Sequence, residues 1–448
     1  MGHLLSALYR DEEMVRVWSP ENTVDAWLRT ESALAQAQAD VGLLTRDDAD
    51  AVSAVCRAEL IDMDLLWERS RNVGYPILPL IRQLAGHLPQ GPDGRVHYGA
   101  TTQDIMDTGL ALQLVRSCDR LIELAVRFGD ALAELTGANA KVVMAARTHA
   151  QQAVPTTFGA KTAVFLGEVA REVAEVRRAR ADVGVVSLFG AGGTNAAMGE
   201  DGARVRSGVA RRLGLADTDV PWHVARDRVA RFGQACSLLA ATCVRFAREV
   251  VDLSRTEIGE VGEEGGHHRG ASSTMPQKVN PIYSEAVIGY GVAAAGASAL
   301  LGRAMEAGHE RSAGEWQVEW LAVPQVAEYT AAAVRLAGET AGSLRVFPDR
   351  MRANVELDGL LMSEALMMRL APALGRERAH DLVYAAAARA RAEGGDLVAT
   401  CVRDLPDEVR AAVGPLKLDP SDYLGEAMSV AAGALREWKS VRDEGGKQ

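Results

Sequence analysis

Leu239, Cys243, Phe246, Val250 and Leu253 recur at spacings of four and three, which puts them in one apolar stripe on a helix. The same periodicity runs through 109–138, 158–184, 283–308 and 320–342, and strand-like alternation is scarce. Helices longer than the usual ~11 residues predict an elongated bundle. Near the start, Ser19-Pro20-Glu21-Asn22 reads as a helix beginning: serine caps, proline suits the first turn and Glu21 suits the dipole. The amphipathic segment 27–44 follows. Two stretches break the pattern. Residues 97–104 form a polar, small-residue loop between helices, and 262–270 hold four glycines in nine residues, a mobile loop fit to act as a hinge. After Phe347-Pro348 shorter helices return, and Asp419-Pro420 marks another start. The predicted fold is all-α: a long-helix bundle over 109–347, flanked by small helical domains over 1–108 and 348–448.

Composition narrows the class. The chain has 448 residues, 48% hydrophobic and 24% charged, which excludes disorder. The net charge of -11 disfavours nucleic acid and anionic membranes as partners. No uninterrupted apolar run reaches the ~18 residues of a membrane span, so none is expected. The opening residues lack a basic stretch followed by a long apolar one. Five cysteines, an odd number without a CxxC, read as free thiols in a reducing, cytoplasmic setting. His267 and His268 have no third ligand at a recognisable spacing, so no metal is expected.

The most specific segment is Ala271-Ser272-Ser273-Thr274-Met275-Pro276-Gln277-Lys278-Val279-Asn280-Pro281. Asn280-Pro281 sets up a helix N-terminus, whose free N–H groups favour anions. Lys278, one of only six lysines, adds a full positive charge. A serine near such charge can have its alkoxide stabilised enough to take a proton. On the residues alone, an ordinary polar loop remains an equal alternative.

This segment resembles the signature loop of the fumarase/aspartase superfamily, Gly-Ser-Ser-x-x-Met-Pro-x-Lys-x-Asn, with Ala271 in place of the first glycine. The resemblance implies that Ser272 is the general base, with Ser273 beside it, and that Lys278 and Asn280 bind a substrate carboxylate. Arg147-Thr148-His149-Ala150-Gln151 resembles the family's second region. It implies that His149 belongs to the acid or charge-relay side, with Thr148 and Gln151 at the substrate, and that Glu285 hydrogen-bonds the histidine. Thr101-Thr102-Gln103-Asp104, preceded by His97, resembles the first region. There the resemblance implies hydroxyls holding a carboxylate, with Asp104 and His97 in the site, although Thr-Thr-Gln-Asp alone also reads as a helix cap. The resemblance covers essentially the whole chain. It further implies a homotetramer built on a bundle of twenty helices, whose sites are each shared by three subunits, a small dicarboxylate substrate and no cofactor.

Within the superfamily, Gly190-Ala191-Gly192-Gly193-Thr194, Pro221-Trp222-His223 with Arg226-Asp227-Arg228, the 309–316 segment and Pro76-Ile77-Leu78-Pro79-Leu80 resemble the 3-carboxy-cis,cis-muconate cycloisomerase branch. Tyr75 departs from it, standing where asparagine is usual, as do Gln277 and Val279 around Lys278. Adenylosuccinate lyase fits less well, because Leu8 precedes Tyr9 where its phosphate-binding arginine would stand. These departures argue against a muconate substrate. Nitrosuccinate lyases are similar to this branch, and that resemblance implies anti β-elimination from a substituted succinate, for example nitrosuccinate, with Arg10 or Arg226 receiving the nitro group. Lactonising cycloisomerisation is the alternative. A non-catalytic helical scaffold would not need Ser272, His149, Lys278 and Glu285 together.

Overall fold

The computed structural model describes residues 4–89, 95–263, 266–357 and 359–444. Its principal helices are α1 (Pro20–Val41), α2 (Thr102–Ala138), α3 (Phe158–Val183), α4 (Asp227–Leu253), α5 (Ile282–Ala304) and α6 (Glu315–Ser343). The apolar periodicity located the last four closely, and all five stripe residues of α4 are 2% exposed or less. Ser19 caps α1, its Oγ accepting from the Asn22 N–H at 3.2 Å. Gly42, at φ +84°, ends that helix in the left-handed region that suits glycine. Helix α2 begins at Thr102, not near 109, because Asp104 folds back to accept from the Thr101 N–H at 2.9 Å. Residues 102–104 are therefore the helix's first turn, and 97–101 remain the loop before it.

Two small antiparallel ribbons were not expected. β1 (Val143–Thr148) pairs with β2 (Gln151–Thr157), and β3 (Val261–Glu263) with β4 (Leu344–Val346). Two of these strands have only three residues, and the other two do not alternate buried with exposed.

The chain forms two compact units. The first gathers Met1–Ala125, Glu172–Cys243 and Gly289–Arg335; the second gathers Val126–Arg171, Val244–Ile288 and Leu336–Gln448. Helices α2 to α6 each supply residues to both, so a consecutive division at 108 falls inside α2. In the first unit, Val24, Leu28 and Leu34 of α1 share a core with Ile77, Leu80, Ile105 and Val205. In the second, Gly129 leaves room for the Trp438 ring, whose Cη2 would lie 2.1 Å from any added Cβ. Leu366, Leu370, Val383 and Leu397 form a further cluster there.

One helix, α5, bears on the membrane expectation. By length and composition alone it suits a membrane span, although a run-length search misses it because polar residues interrupt its apolar stretches. Only 28% of its most apolar window is buried, and Val292 and Leu300 are exposed.

Candidate active site

The site residues fall into two sets, one in each unit. In the first unit, the chain enters α2 through a loop in which His97 takes φ +62° and Gly99 φ +72°. A Cβ on Gly99 would meet Met198 Cγ at 2.8 Å, so the turn requires glycine. His97 Nδ1 lies 2.6 Å from the buried Glu31 carboxylate. Burial opposes a charge on this ring, but Glu31 and then Asp104 outweigh it and raise the His97 pKa. Thr101 and Thr102 stand at the start of α2, where amide N–H groups have no intrahelical acceptor and the dipole is positive. A carboxylate is favoured there.

Asp104 is not a substrate ligand. It is fully buried. Its carboxylate accepts from the N–H groups of Thr101, Phe189 and Gly190, each at 2.9 Å, and from His223 Nε2 at 2.8 Å. It staples the glycine-rich 190–194 turn to the helix start. Arg226 must also be withdrawn. It is buried, and its guanidinium is committed to Asp107 at 2.8 and 3.1 Å and to Glu319, reached by Nε at 2.8 Å. Burial, against the pull of Arg226, holds Glu319 above the usual carboxylate range. Arg10 lines a different recess, with Asp11, Arg16 and Arg120, so it is not gathered with Thr101.

The arginine that does reach the start of α2 is Arg311. Its Nε donates to Gln103 Oε1 at 3.0 Å and its Nη2 to Thr101 Oγ1 at 3.3 Å. It sits in the 309–316 segment that marked the branch resemblance, and that was the available signal for it. Tyr75 stacks on Trp316 with centroids 5.9 Å apart and lines a cavity of about 600 Å³.

In the second unit, His149 and Ala150, at φ +49° and +62°, form the two-residue turn between β1 and β2. Both signs match the primed turns that hairpins prefer. Thr148, His149 and Gln151 are exposed. Arg147 anchors the hairpin through two bonds to the buried Glu260, at 2.9 and 2.6 Å, and Asn354 donates to the same carboxylate. Neither Arg147 nor Glu260 was assigned a role from sequence. Glu285 is exposed on the first turn of α5, and no hydrogen bond joins it to His149 among the described residues. The expected pair is therefore not made within this unit.

The signature loop is closed at its neck. The Asn280 backbone N–H and Nδ2 both donate to Gly270 O, at 2.9 and 3.0 Å, and Ala271 bridges Val279. Asn280 thus holds the loop's base with its backbone N–H and one of its two side-chain amide N–H donors. Gly270, at φ +69°, permits the closure, since a Cβ would come within 2.4 Å of Asn280 O. Ser272 Oγ accepts from the Thr274 and Met275 N–H groups at 3.2 and 3.0 Å. Two amide donors aimed at that oxygen favour its anionic form. Lys278 and Ser273 are exposed on the same loop. The start of α5 is not an open anion site. Glu263 already accepts from the N–H groups of Tyr283 and Ser284, at 3.1 and 2.8 Å, and from the Ser284 hydroxyl. Backbone amides inside the loop do what the helix end was expected to do.

A signature loop, a histidine hairpin and a threonine-tipped long helix are features of the fumarase/aspartase superfamily of lyases, and the chain belongs to it. The lyase family matches residues 9–296, and the adenylosuccinate lyase C-terminus family matches 359–432. Among individual proteins, the chain is 36% identical over 430 residues to trans-aconitate decarboxylase 1 of Mycosarcoma maydis, covering 94% of this chain and 86% of that one. It is 32% identical over 418 residues to N-acetyl-S-(2-succino)cysteine lyase of Dickeya dadantii, covering 93% and 92%. The crystal structure of the 3-carboxy-cis,cis-muconate lactonizing enzyme from Pseudomonas putida superposes with a TM-score of 0.91 at 34% identity, covering 98% of this chain and all of that one.

Proposed function

We propose that this enzyme eliminates a β-substituent from a substituted succinate to release fumarate, with Ser272 as the general base. The observation that carries the reading is the pair of amide N–H groups on Ser272 Oγ. Such donors stabilise an alkoxide without moving during the reaction. Lys278 supplies charge from the same loop. Thr101, Thr102 and Arg311 hold a carboxylate at the positive end of α2, where charge accumulates as the proton leaves. His149 assists the departing group. Exposed His149 and Glu285, together with the bare apolar face of α5, support a homotetramer whose sites are completed between subunits.

Nitrosuccinate remains a candidate substrate, but its case is narrower because Arg226 cannot receive the nitro group. A succinyl thioether is favoured by the Dickeya relative. Cycloisomerisation is the second reading, favoured by the Pseudomonas putida fold match. Proton NMR of one panel separates them: nitrosuccinate, an S-(2-succino) thioether, carboxymuconate, aspartate and adenylosuccinate. The fumarate vinyl signal from at least one succinate is the expected result. Lactone from carboxymuconate without fumarate from any succinate overturns the elimination reading.

A further inference from the structure

We propose that the cavity beside Tyr75 is a subsite for an uncharged, apolar or aromatic arm on the substrate's substituent. This rests on the substituted-succinate reading and extends it to what the enzyme recognises beyond the two carboxylates.

Trp18, Trp27, Trp67, Trp316 and Trp320, five of the chain's seven tryptophans, line this one cavity together with Tyr75. Aromatic residues make up only 5% of the chain, so this wall concentrates them in one place. Tyr75 stacks on Trp316, and Trp320 meets both rings edge-on. The volume of about 600 Å³ lies in the range of small-molecule sites and far exceeds the needs of a nitro or amino group.

Continuity with the carboxylate site comes from two elements. Met106 and Leu110 of α2 line the cavity and follow Thr102 at intervals of four, so all three share one face of the helix. All three are half-exposed, whereas Gln103, Asp104 and Ile105 between them are buried. The segment that carries Arg311 to Thr101 also carries Trp316 into the wall.

The charges argue for a neutral arm. Asp107 and Glu319 reach the wall but are both tied to Arg226, and Asp107 also accepts from Trp316 Nε1 at 3.3 Å. Arg71, the remaining charged lining residue, is exposed. Rings held edge-on and stacked offer faces to an apolar or aromatic group.

The test is equilibrium binding of 2-benzylsuccinate against 2-methylsuccinate, neither of which has a leaving group, read by calorimetry and by quenching of tryptophan fluorescence. The wild-type protein should bind the benzyl compound at least about tenfold more tightly, as burial of a phenyl ring implies. In Leu110→Trp, which fills the cavity, that advantage should collapse. Equal affinities in the wild type overturn the proposal, as does an advantage retained in a folded Leu110→Trp. The wild-type ratio stands alone should that variant fail to fold. Fumarate release in the substrate panel reports separately on the lyase reading.

Discussion

The buried ion network explains why an arginine that resembled a substrate ligand is a support. Arg226 pairs with both Asp107 and Glu319, and all three side chains are almost wholly buried. Removing one partner of such a group leaves uncompensated charge. Arg226→Met should destabilise the fold by about 3–5 kcal/mol in chemical denaturation. A change near zero would mean that the network is dispensable. His97 offers a second test at this scale. Its folded pKa is raised above its ordinary 6.5, so its pairing with Glu31 contributes fully below that value and fades as pH climbs through the raised one. An NMR titration of the His97 ring should have its midpoint above 6.5, and His97→Gln should flatten the corresponding limb of the stability curve. A midpoint at or below 6.5 contradicts the pairing. Sequence could name His97 but not Glu31, because their contact joins residues 66 positions apart.

At the scale of elements, long helices were legible because each needs a continuous apolar stripe. The ribbons were not, because two of their strands have only three residues and the six- and seven-residue pair does not alternate buried with exposed. The catalytic loop was legible as a motif, but its mechanics were not. Glu263 caps α5 and removes the helix end as an anion site, and no local pattern announces that. Closure instead depends on Gly270. Gly270→Ala forces a side chain into the left-handed region against Asn280 O and should cost at least ~1 kcal/mol. It should also lower kcat more than it raises KM, since the loop carries the base. Unaltered kinetics in Gly270→Ala would separate loop closure from catalysis.

At the scale of the whole molecule, the proposed assembly follows from what one chain leaves exposed. Val292 and Leu300 on α5 are exposed apolar residues of a helix otherwise suited to burial. Val292→Glu combined with Leu300→Glu should shift sedimentation from tetramer to smaller species and abolish fumarate release. An active monomer would contradict shared sites. Sequence located the loop, the hairpin and the helix tip as motifs, and only the family resemblance implied their assembly, because they lie in two compact units of the chain. The central claim remains the basicity of one hydroxyl. Its most direct test is the turnover of Ser272→Ala on the succinate that the wild type converts to fumarate. A fall in kcat by a factor of ~100 or more, with the oligomer intact, is the predicted result, whereas wild-type turnover would contradict the account.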